Sequence, residues 1–317
     1  MYANRERYRL HFFSLLLMLC CTTGFAQKQK VWLDADTGNE TDDVYAIIRL
    51  LAEPSVEVVG LSSAHFNNAD LVAFEKWNQY PTKNINTVAI SQQLNEEILR
   101  LMGEESIVHP LGADRQIGRA WGGQEPRPSA ATDQLIGVVK SLKPGEKLDV
   151  LCLGALTNIA SAILIDPTIL SRIRCYALGS SYNTQTGVWS KNDFNIRNDL
   201  NAFDYLLNNP GLDLTMMPIN VASPYRFARD TIYTRVNDKV RTQHLLKKRW
   251  QETNPDDKVR TLWDLALVEA YLLPRNATIQ DVTTPPDNMK RLIKAYSKLD
   301  EKALTDDFWR VIGQLKN

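Results

Sequence analysis

The feature that most constrains this chain is a run of carboxylates between a short apolar segment and a helix-like segment. Residues 31–33 are apolar and predict a buried strand, and residues 44–51 have the spacing of a helix that packs on it. Five acids lie between these segments, within ten residues: Asp34, Asp36, Glu40, Asp42 and Asp43. Carboxylates this close repel one another unless a positive charge lies among them. Because only oxygen donors are nearby, the turn predicts a site for a hard cation.

Three simpler interpretations of this turn compete with a cation site. It could be a solvated acidic loop, or Thr41 or Asp42 could cap the following helix and favour its dipole. It could also be an EF-hand loop, but that pattern has Asp or Asn at its fifth position and Gly at its sixth. Gly38 and Asn39 occupy those positions, which excludes the EF-hand. Helix capping accounts for one or two acids and not for five, so a metal or catalytic site is the better explanation.

The first 26 residues have the composition of a secretory signal peptide. A basic start with three arginines precedes an apolar stretch at 12–21 and small residues at 24–26. The apolar stretch is too short for a stable membrane-spanning helix. We therefore expect cleavage of residues 1–26 before Gln27 and export to the periplasm or the medium. Residues 27–317 remain as one domain.

Composition excludes several classes of partner. The chain has 37 basic and 37 acidic residues, and removal of the signal peptide leaves a slightly negative protein. Neither a nucleic acid nor an anionic membrane is therefore an expected partner. Two of the four cysteines lie in the signal peptide, and Cys152 and Cys175 lie in apolar runs. Both are expected to be small core residues, and no disulfide is indicated.

The segments after the acidic turn predict a parallel sheet. Residues 56–63 form a second predicted strand, so that strand, helix and strand make a βαβ unit with its sites at the carboxyl ends of the strands. Asn67 follows this strand and should face the acidic turn, although asparagine is also a common turn residue. Residues 86–90 are expected to form a further strand, and the region after Pro285 a closing helix. The predicted fold class is α/β, with a mostly parallel central sheet flanked by helices.

Three segments resemble the inosine-uridine-preferring nucleoside hydrolase family. Residues 34–43 resemble its N-terminal signature, which has Asp-x-Asp, a Gly and then Asp-Asp at the start of a helix. Residues 154–158 resemble its Gly-x-Leu-Thr-Asn segment, and residues 262–271 resemble the helix that supplies its last metal carboxylate. Haloacid-dehalogenase-type phosphatases also have Asp-x-Asp after a first strand, but continue with Gly-Thr, whereas this chain continues with Thr-Gly.

The resemblance implies a metal centre and a general base. In the family, one divalent ion is bound by carboxylates of the first turn and of the late helix, together with one backbone carbonyl. The matching ligands here are Asp36, Asp43, Asp264 and the carbonyl of Leu153, and the implied ion is Ca²⁺. Asp42, beside Asp43, is implied to be the base that takes a proton from the attacking water. The implied reaction is hydrolysis of a nucleoside to a free base and ribose.

The resemblance also implies sugar contacts, with two departures. Asn67 and Asn195 match asparagines that contact ribose in the family. Asp193 stands where Glu is usual, and Val188 falls where an Asn is usual. In the family these two side chains hold the 5′ end of the ribose, so the departures weaken that contact. They leave open a Ca²⁺-dependent nucleoside- or sugar-binding protein with little or no catalysis as the alternative function.

Two tryptophans are candidates for contact with the nucleobase. Trp263 precedes Asp264, where the purine-preferring branch of the family places an indole that stacks on the base; packing at a helix start is the other interpretation. Trp121 lies in a loop rich in Gly and Pro (residues 118–129) and could contact the base or anchor the loop. The expected partner is a small nucleoside, and the resemblance implies a homodimer or homotetramer.

Overall fold

The computed structural model describes residues 28–67 and 85–316, so the predicted signal peptide lies outside the described residues. The strands are β1 (Gln29–Ala35), β2 (Val56–Ser63), β3 (Leu148–Cys152), β4 (Ile173–Leu178), β5 (Ser181–Asn183), β6 (Val188–Ser190), β7 (Asp213–Met217), β8 (Arg226–Ala228), β9 (Val259–Thr261), β10 (Ala277–Thr283) and β11 (Leu292–Leu299). The helices are α1 (Asp42–Leu51), α2 (Thr87–Met102), α3 (Ala130–Ser141), α4 (Thr157–Ile165), α5 (Phe194–Asn198), α6 (Leu200–Leu207), α7 (Ile219–Ala222), α8 (Arg229–Arg235), α9 (Arg241–Thr253), α10 (Trp263–Leu272) and α11 (Glu301–Ile312).

The central sheet has seven strands in the order β10-β11-β7-β4-β3-β1-β2. All neighbouring pairs are parallel except β10 and β11 at one edge, which are antiparallel. The predicted α/β fold with a mostly parallel sheet is therefore confirmed. From β1 the chain moves to one side to form β2 and returns to the other side to form β3. This reversal creates a crevice at the carboxyl ends of β1 and β3, where open α/β sheets bind ligands.

Strand β1 is buried on both faces, which explains its nearly continuous apolar sequence. Val31 and Leu33 pack into the core on one face of the sheet, with α1, α10 and α11. Trp32 points to the opposite face and joins a second core with α3, α4 and α6. Two helical layers thus cover the sheet, and α1 and α10 pack on the same face. Both helices begin at the carboxyl edge of the sheet.

Two regions differ from the sequence prediction. Residues 86–90 do not form a strand: Asn86 caps helix α2 by accepting a hydrogen bond from the Ala89 backbone N–H at 3.1 Å. The cap outweighs the strand preference of the Thr-Val and Ile residues that follow it. After Pro285 the predicted closing helix is present as α11, but strand β11 precedes it.

Cys152 and Cys175 are buried free thiols on neighbouring strands, as the apolar runs around them predict. Among the described residues, no helix combines the length and the apolarity needed to cross a membrane.

Candidate active site

Three elements bring buried carboxylates to the crevice. Asp36 follows β1, Asp42 and Asp43 begin α1, and Asp264 lies in the first turn of α10. All four are at most 5% exposed. Carboxylate oxygens of Asp42, Asp43 and Asp264 lie within 4.8 Å of one another. The folded chain therefore brings Asp264 to the acidic turn from more than two hundred residues away.

The electrostatics of this acidic group favour a bound cation. Burial, reinforced by neighbouring carboxylates, raises the pKa of Asp36, Asp43 and Asp264 well above the usual value, and burial with Glu40 nearby raises the pKa of Asp42 to about 6. The raised pKa values mean that keeping these buried carboxylates charged costs free energy, and the helix N-termini at Asp42 and Asp264 offset only part of that cost. A bound cation would offset more of it.

The donor atoms also suit a hard divalent ion. Asp36 Oδ2 and Asp43 Oδ1 are buried and have no hydrogen-bond partner among the described residues. Buried carboxylate oxygens normally accept hydrogen bonds or bind metals. The backbone of Gly154 also packs closely against Asp36, because a Cβ at Gly154 would lie 2.7 Å from the Asp36 carboxyl carbon. An all-oxygen set of this kind fits Ca²⁺ better than a softer metal.

Asp34, although it is part of the same acidic run, is held by hydrogen bonds outside the crevice. Its Oδ1 accepts a hydrogen bond from Ser62 Oγ at 2.5 Å and from Asn158 Nδ2 at 2.8 Å. The Asn158 amide also donates to the Ser63 carbonyl at 3.0 Å. Burial raises the pKa of Asp34 to about 6, and the two hydrogen bonds oppose that rise. This carboxylate joins β1, β2 and α4 and thereby supports the site.

Helix α9 holds the backbone of the acidic turn through Arg249. The guanidinium donates to the carbonyls of Glu40 at 3.2 Å, Thr37 at 3.3 Å and Gly38 at 3.0 Å. Thr41 Oγ1 adds a hydrogen bond to Asn254 Oδ1, just beyond α9, at 2.8 Å. The charge of Arg249 also lowers the pKa of Asp43, although burial dominates.

A second arginine, Arg260, neutralises Glu40, the remaining acid of the turn. Glu40 forms an ion pair with Arg260, which also binds Asp257 Oδ2 at 2.8 Å. Sequence reasoning missed both Arg249 and Arg260, because they follow the turn by more than two hundred residues and match no motif. The excess of negative charge in the turn was the one available signal that cations were required.

The crevice opens into a cleft of about 450 Å³. The acidic group lies in this cleft, together with Asn195 and the ion pair between Glu40 and Arg260. Apolar side chains also line the cleft: Leu178, Phe194, Ile219 and Trp263. The Trp263 Nε1–H donates to Ser223 Oγ at 3.2 Å. The cleft thus combines a charged part with an aromatic part. This suits a ligand that has a hydroxyl-bearing ring for the charged part and a flat aromatic ring for the aromatic part.

A family model described as inosine-uridine preferring nucleoside hydrolase matches residues 31–303, which include the whole acidic group. The chain belongs to this family. Its fold, too, is the nucleoside hydrolase fold, a single domain around a mostly parallel sheet.

Three known proteins illustrate how distant the similarity of this chain to its relatives is. A probable uridine nucleosidase of Oryza sativa subsp. japonica is 24% identical over 229 residues, covering 67% of this chain and 65% of that protein. This chain thus matches just under two thirds of the length of that curated relative. Structures of a plant nucleoside hydrolase and of a purine-preferring ribonucleoside hydrolase from Gardnerella vaginalis are 18% and 19% identical. Each has a TM-score of 0.66 and covers 90% of this chain and 99% of its own.

Two of the residues that the family pattern predicts to act at the site lie together. The Asn195 Nδ2 donates to the carbonyl of Leu153, and both residues line the cleft. A backbone carbonyl oxygen has two lone pairs, so the Leu153 oxygen can accept a second partner besides Asn195. The roles of Asn195 in sugar binding and of Leu153 in metal binding stay predictions.

Asp193 lines the cleft, but its carboxylate oxygens are engaged by the backbone. One oxygen accepts a hydrogen bond from the Ser180 N–H, and the other accepts one from the Ile196 N–H at 3.2 Å and caps α5. Ser180 has a φ of 63°, so the carboxylate stabilises an unusual backbone conformation. Val188 is 62% exposed on β6 and is not part of the cleft lining. The predicted role of Asp193 in sugar binding stays a prediction.

Asn67 and Trp121 also lie outside the cleft lining. The Asn67 amide donates to the Asp114 carbonyl at 2.9 Å, next to the undescribed residues 68–84. Trp121 is 82% exposed. The predicted contact of Asn67 with ribose stays a prediction. His65 is a buried loop residue whose Nε2 lies 2.7 Å from Thr157 Oγ1.

Proposed function

We propose that this protein is a calcium-dependent hydrolase that cleaves the N-glycosidic bond of ribonucleosides, with a preference for purines, and releases the free base and ribose. The observation that carries the proposal is one cleft that holds four buried carboxylates: oxygens of Asp42, Asp43 and Asp264 lie within 4.8 Å of one another, and Asp36 and Leu153 line the same cleft. Membership of the nucleoside hydrolase family supports the same reaction.

The bound ion and the residues of the site have different roles in this reaction. The Ca²⁺ ion, when bound, would hold the 2′- and 3′-hydroxyls of the sugar and lower the pKa of the attacking water. Asp42 accepts the proton of that water, a contribution worth a factor of about 10²–10⁴. Positive charge develops on the sugar as the base leaves, and the buried carboxylates stabilise it.

The purine preference rests on Trp263. Its indole lines the cleft directly beside Asp264, and the hydrogen bond to Ser223 fixes the plane of the ring. A purine offers a larger aromatic face for stacking than a pyrimidine does. Stacking also raises the affinity of the purine for a proton, which helps the base to leave without a dedicated acid.

Release of free base from inosine, adenosine and uridine tests the proposal. We expect all three to react in the presence of Ca²⁺, the purines faster, and chelation to stop the reaction. Asp43→Asn should abolish turnover, and the exposed Asp306→Asn serves as its matched control. Nucleoside binding without release of base would support the binding-protein alternative, which the sequence departures at Val188 and Asp193 leave open. Equal or inverted rates for purines and uridine would contradict the role of Trp263.

Export and self-association are further parts of the proposal. We infer from the leader-like residues 1–26 that the protein is exported, and N-terminal sequencing of the secreted protein should start at Gln27. An intact Met1 would contradict this. A homodimer or homotetramer is expected from the family resemblance, and light scattering of the purified protein measures it.

A further inference from the structure

The guanidinium of Arg260 lies beside the indole of Trp263 in the cleft. The Arg260 Cζ is 5.8 Å from the centroid of the Trp263 ring, and both residues line the cleft wall. Arg260 belongs to β9, and Trp263 begins α10 immediately after it. A flat ring that packs on this indole therefore has one edge within reach of the guanidinium.

Arg260 keeps donors that its ion pairs do not use. Its Nη2 binds Glu40 and its Nη1 binds Asp257, which leaves a second hydrogen on each of these nitrogens. Its Nε is buried and is not counted among these donors. The side chain is 11% exposed and lines the cleft, and the two ion pairs hold the guanidinium in one orientation. A planar donor fixed in this way is suited to recognising a pair of acceptors on one edge of a ligand.

The sugar and the base have separate places in this cleft. The acidic group that we propose to bind the sugar includes Asp264, and Trp263 is its immediate neighbour in the chain. A nucleoside with its ribose on the acids therefore directs its base towards Trp263 and Arg260.

We propose that Arg260 is a specificity-determining residue that selects 6-oxopurine nucleosides, such as inosine and guanosine, over adenosine. The inference rests on the proposed function. A 6-oxopurine presents two acceptors, O6 and N7, on one edge, whereas adenine replaces O6 with an amino donor. Arginine can only donate hydrogen bonds. With adenine in the cleft, one N–H group of Arg260 would therefore face the amino group of the base, which is also a donor.

A purely structural role for Arg260 predicts a different result. Arg260 ties the acidic turn to β9 through Glu40, so its loss could disturb the whole site. That disturbance would slow all nucleosides by the same factor. A base-reading role instead changes the ratio between substrates, and this ratio is the quantity to measure.

The test compares kcat/KM for inosine and adenosine in the wild type and in Arg260→Lys. Lysine keeps the charge beside Glu40 but loses the planar fork. We expect the wild type to favour inosine, and the variant to lose about 5- to 150-fold of that preference, the range of one bidentate contact. Arg235→Lys is the matched control, because Arg235 lies over Trp309 at 5.2 Å outside the cleft lining. It should leave the ratio unchanged.

Two outcomes would overturn the inference while nucleoside hydrolysis stands: a wild type without preference for inosine, or an unchanged ratio in Arg260→Lys. If the wild type released no base from any nucleoside, the proposed function would fail instead. In that case the affinities of the wild type and of Arg260→Lys for free hypoxanthine and free adenine, measured by tryptophan fluorescence, decide the role of Arg260. The same measurement on the wild type serves if Arg260→Lys does not fold. Equal affinity for the two bases would overturn the inference.

Discussion

Asp34 and Asp36 lie two residues apart, yet the structure gives them different surroundings. Asp34 Oδ1 accepts hydrogen bonds from Ser62 Oγ and Asn158 Nδ2, two donors that the fold already positions. Asp34 and Asp36 each keep one buried oxygen without a partner among the described residues, but only Asp36 lines the cleft. The sequence presents both as members of one acidic run. Only the positions of distant donors separate the supporting acid from the proposed ligand.

Replacing Asp264 and Asp42 separates metal binding from catalysis. Asp264→Ala should lose bound Ca²⁺ and turnover together, because it removes a proposed ligand. Asp42→Ala should keep the ion and the fold but lose a factor of about 10²–10⁴ in kcat. Calcium binding by calorimetry and base release are the measurements.

Oxygens of Asp42, Asp43 and Asp264 lie together, so by position Asp42 could itself be a metal ligand. Comparing the Asp42 variant with a variant of Asp36 tests which of the two residues binds the ion. Asp36→Ala should behave like Asp264→Ala. If Asp42→Ala loses the ion and Asp36→Ala keeps it, the roles of ligand and base are exchanged. Turnover retained in Asp42→Ala would remove this residue from its role.

His65 should give the folded protein a pH-dependent stability. Burial lowers the pKa of His65 to about 4 from its usual 6.5. Between pH 4 and 6.5 the unfolded chain binds a proton that the folded imidazole refuses, so the free energy of unfolding falls as the pH is lowered. The expected slope is about 1.4 kcal/mol per pH unit. His65→Gln should remove this component from urea unfolding measured between pH 4 and 7.

The control for this titration is His244→Gln, at an exposed histidine on α9. It should retain the wild-type dependence on pH. A wild-type slope in His65→Gln would show that other groups carry the effect.

At the scale of elements, α1 and α10 are joined below the site by a buried ion pair. Arg49 of α1 binds Glu269 of α10 at 3.0 Å, and both side chains are fully buried. Arg49 also binds Glu53 at 3.0 Å and Asp307 of α11 at 2.7 Å. The two helices that begin at the acidic group are thus held together along their length.

Arg49→Met should lower the free energy of unfolding by about 3–5 kcal/mol, because Glu269 would remain buried without its cation. Replacing both residues by apolar ones should recover much of that loss. Chemical denaturation measures both variants. The exposed pair of Lys302 and Asp306 is the control, and Lys302→Met should leave stability essentially unchanged. A small effect of Arg49→Met would mean that the helices are held by apolar packing alone.

The elements that sequence reasoning predicted are those with strong local patterns. The acidic turn between β1 and α1 and the Gly turn after β3 have clear apolar runs on one side. Helix α2 was taken for a strand over residues 86–90, because the first residues suit both structures and the cap at Asn86 decides between them. The antiparallel pair at the sheet edge was missed because β10 and β11 are half exposed. Their partly polar sequences resemble those of loops.

At the scale of the whole molecule, the proposed cation is a stabilising ligand as well as a cofactor. An ion that binds only the folded chain adds about 2.7 kcal/mol to the free energy of unfolding at 100 times its Kd. Ca²⁺ should therefore raise the Tm measured by calorimetry, and chelation should reverse the rise.

Asp43→Asn is the variant that should not respond to Ca²⁺, and Mg²⁺ is the control ion for the wild type. Mg²⁺ prefers octahedral coordination and keeps several of its waters, so its effect should be smaller. A Tm that is insensitive to Ca²⁺ in the wild type would contradict the metal centre.

The site as a whole could be predicted only in part. Asp36, Asp42, Asp43 and Asp264 were identified from their motifs, and all four lie in one cleft. Arg249 and Arg260 were not, because long-range charge compensation leaves no trace in local spacing. The hydrogen bonds that Asp193 accepts from the Ser180 and Ile196 N–H groups were not predicted, since a carboxylate can cap a helix or bind a ligand and the sequence is the same in both cases.

The position of α10 late in the chain has a consequence for the order of events in the cell. Until α10 has been synthesised and packed against α1, the acids at the start of α1 lack Asp264, and an extended chain has no cavity for an ion. If the protein crosses a membrane unfolded, as the proposed export implies, it crosses without calcium. The ion is then acquired in the compartment where the chain folds, and maturation outside the cell depends on the calcium available there.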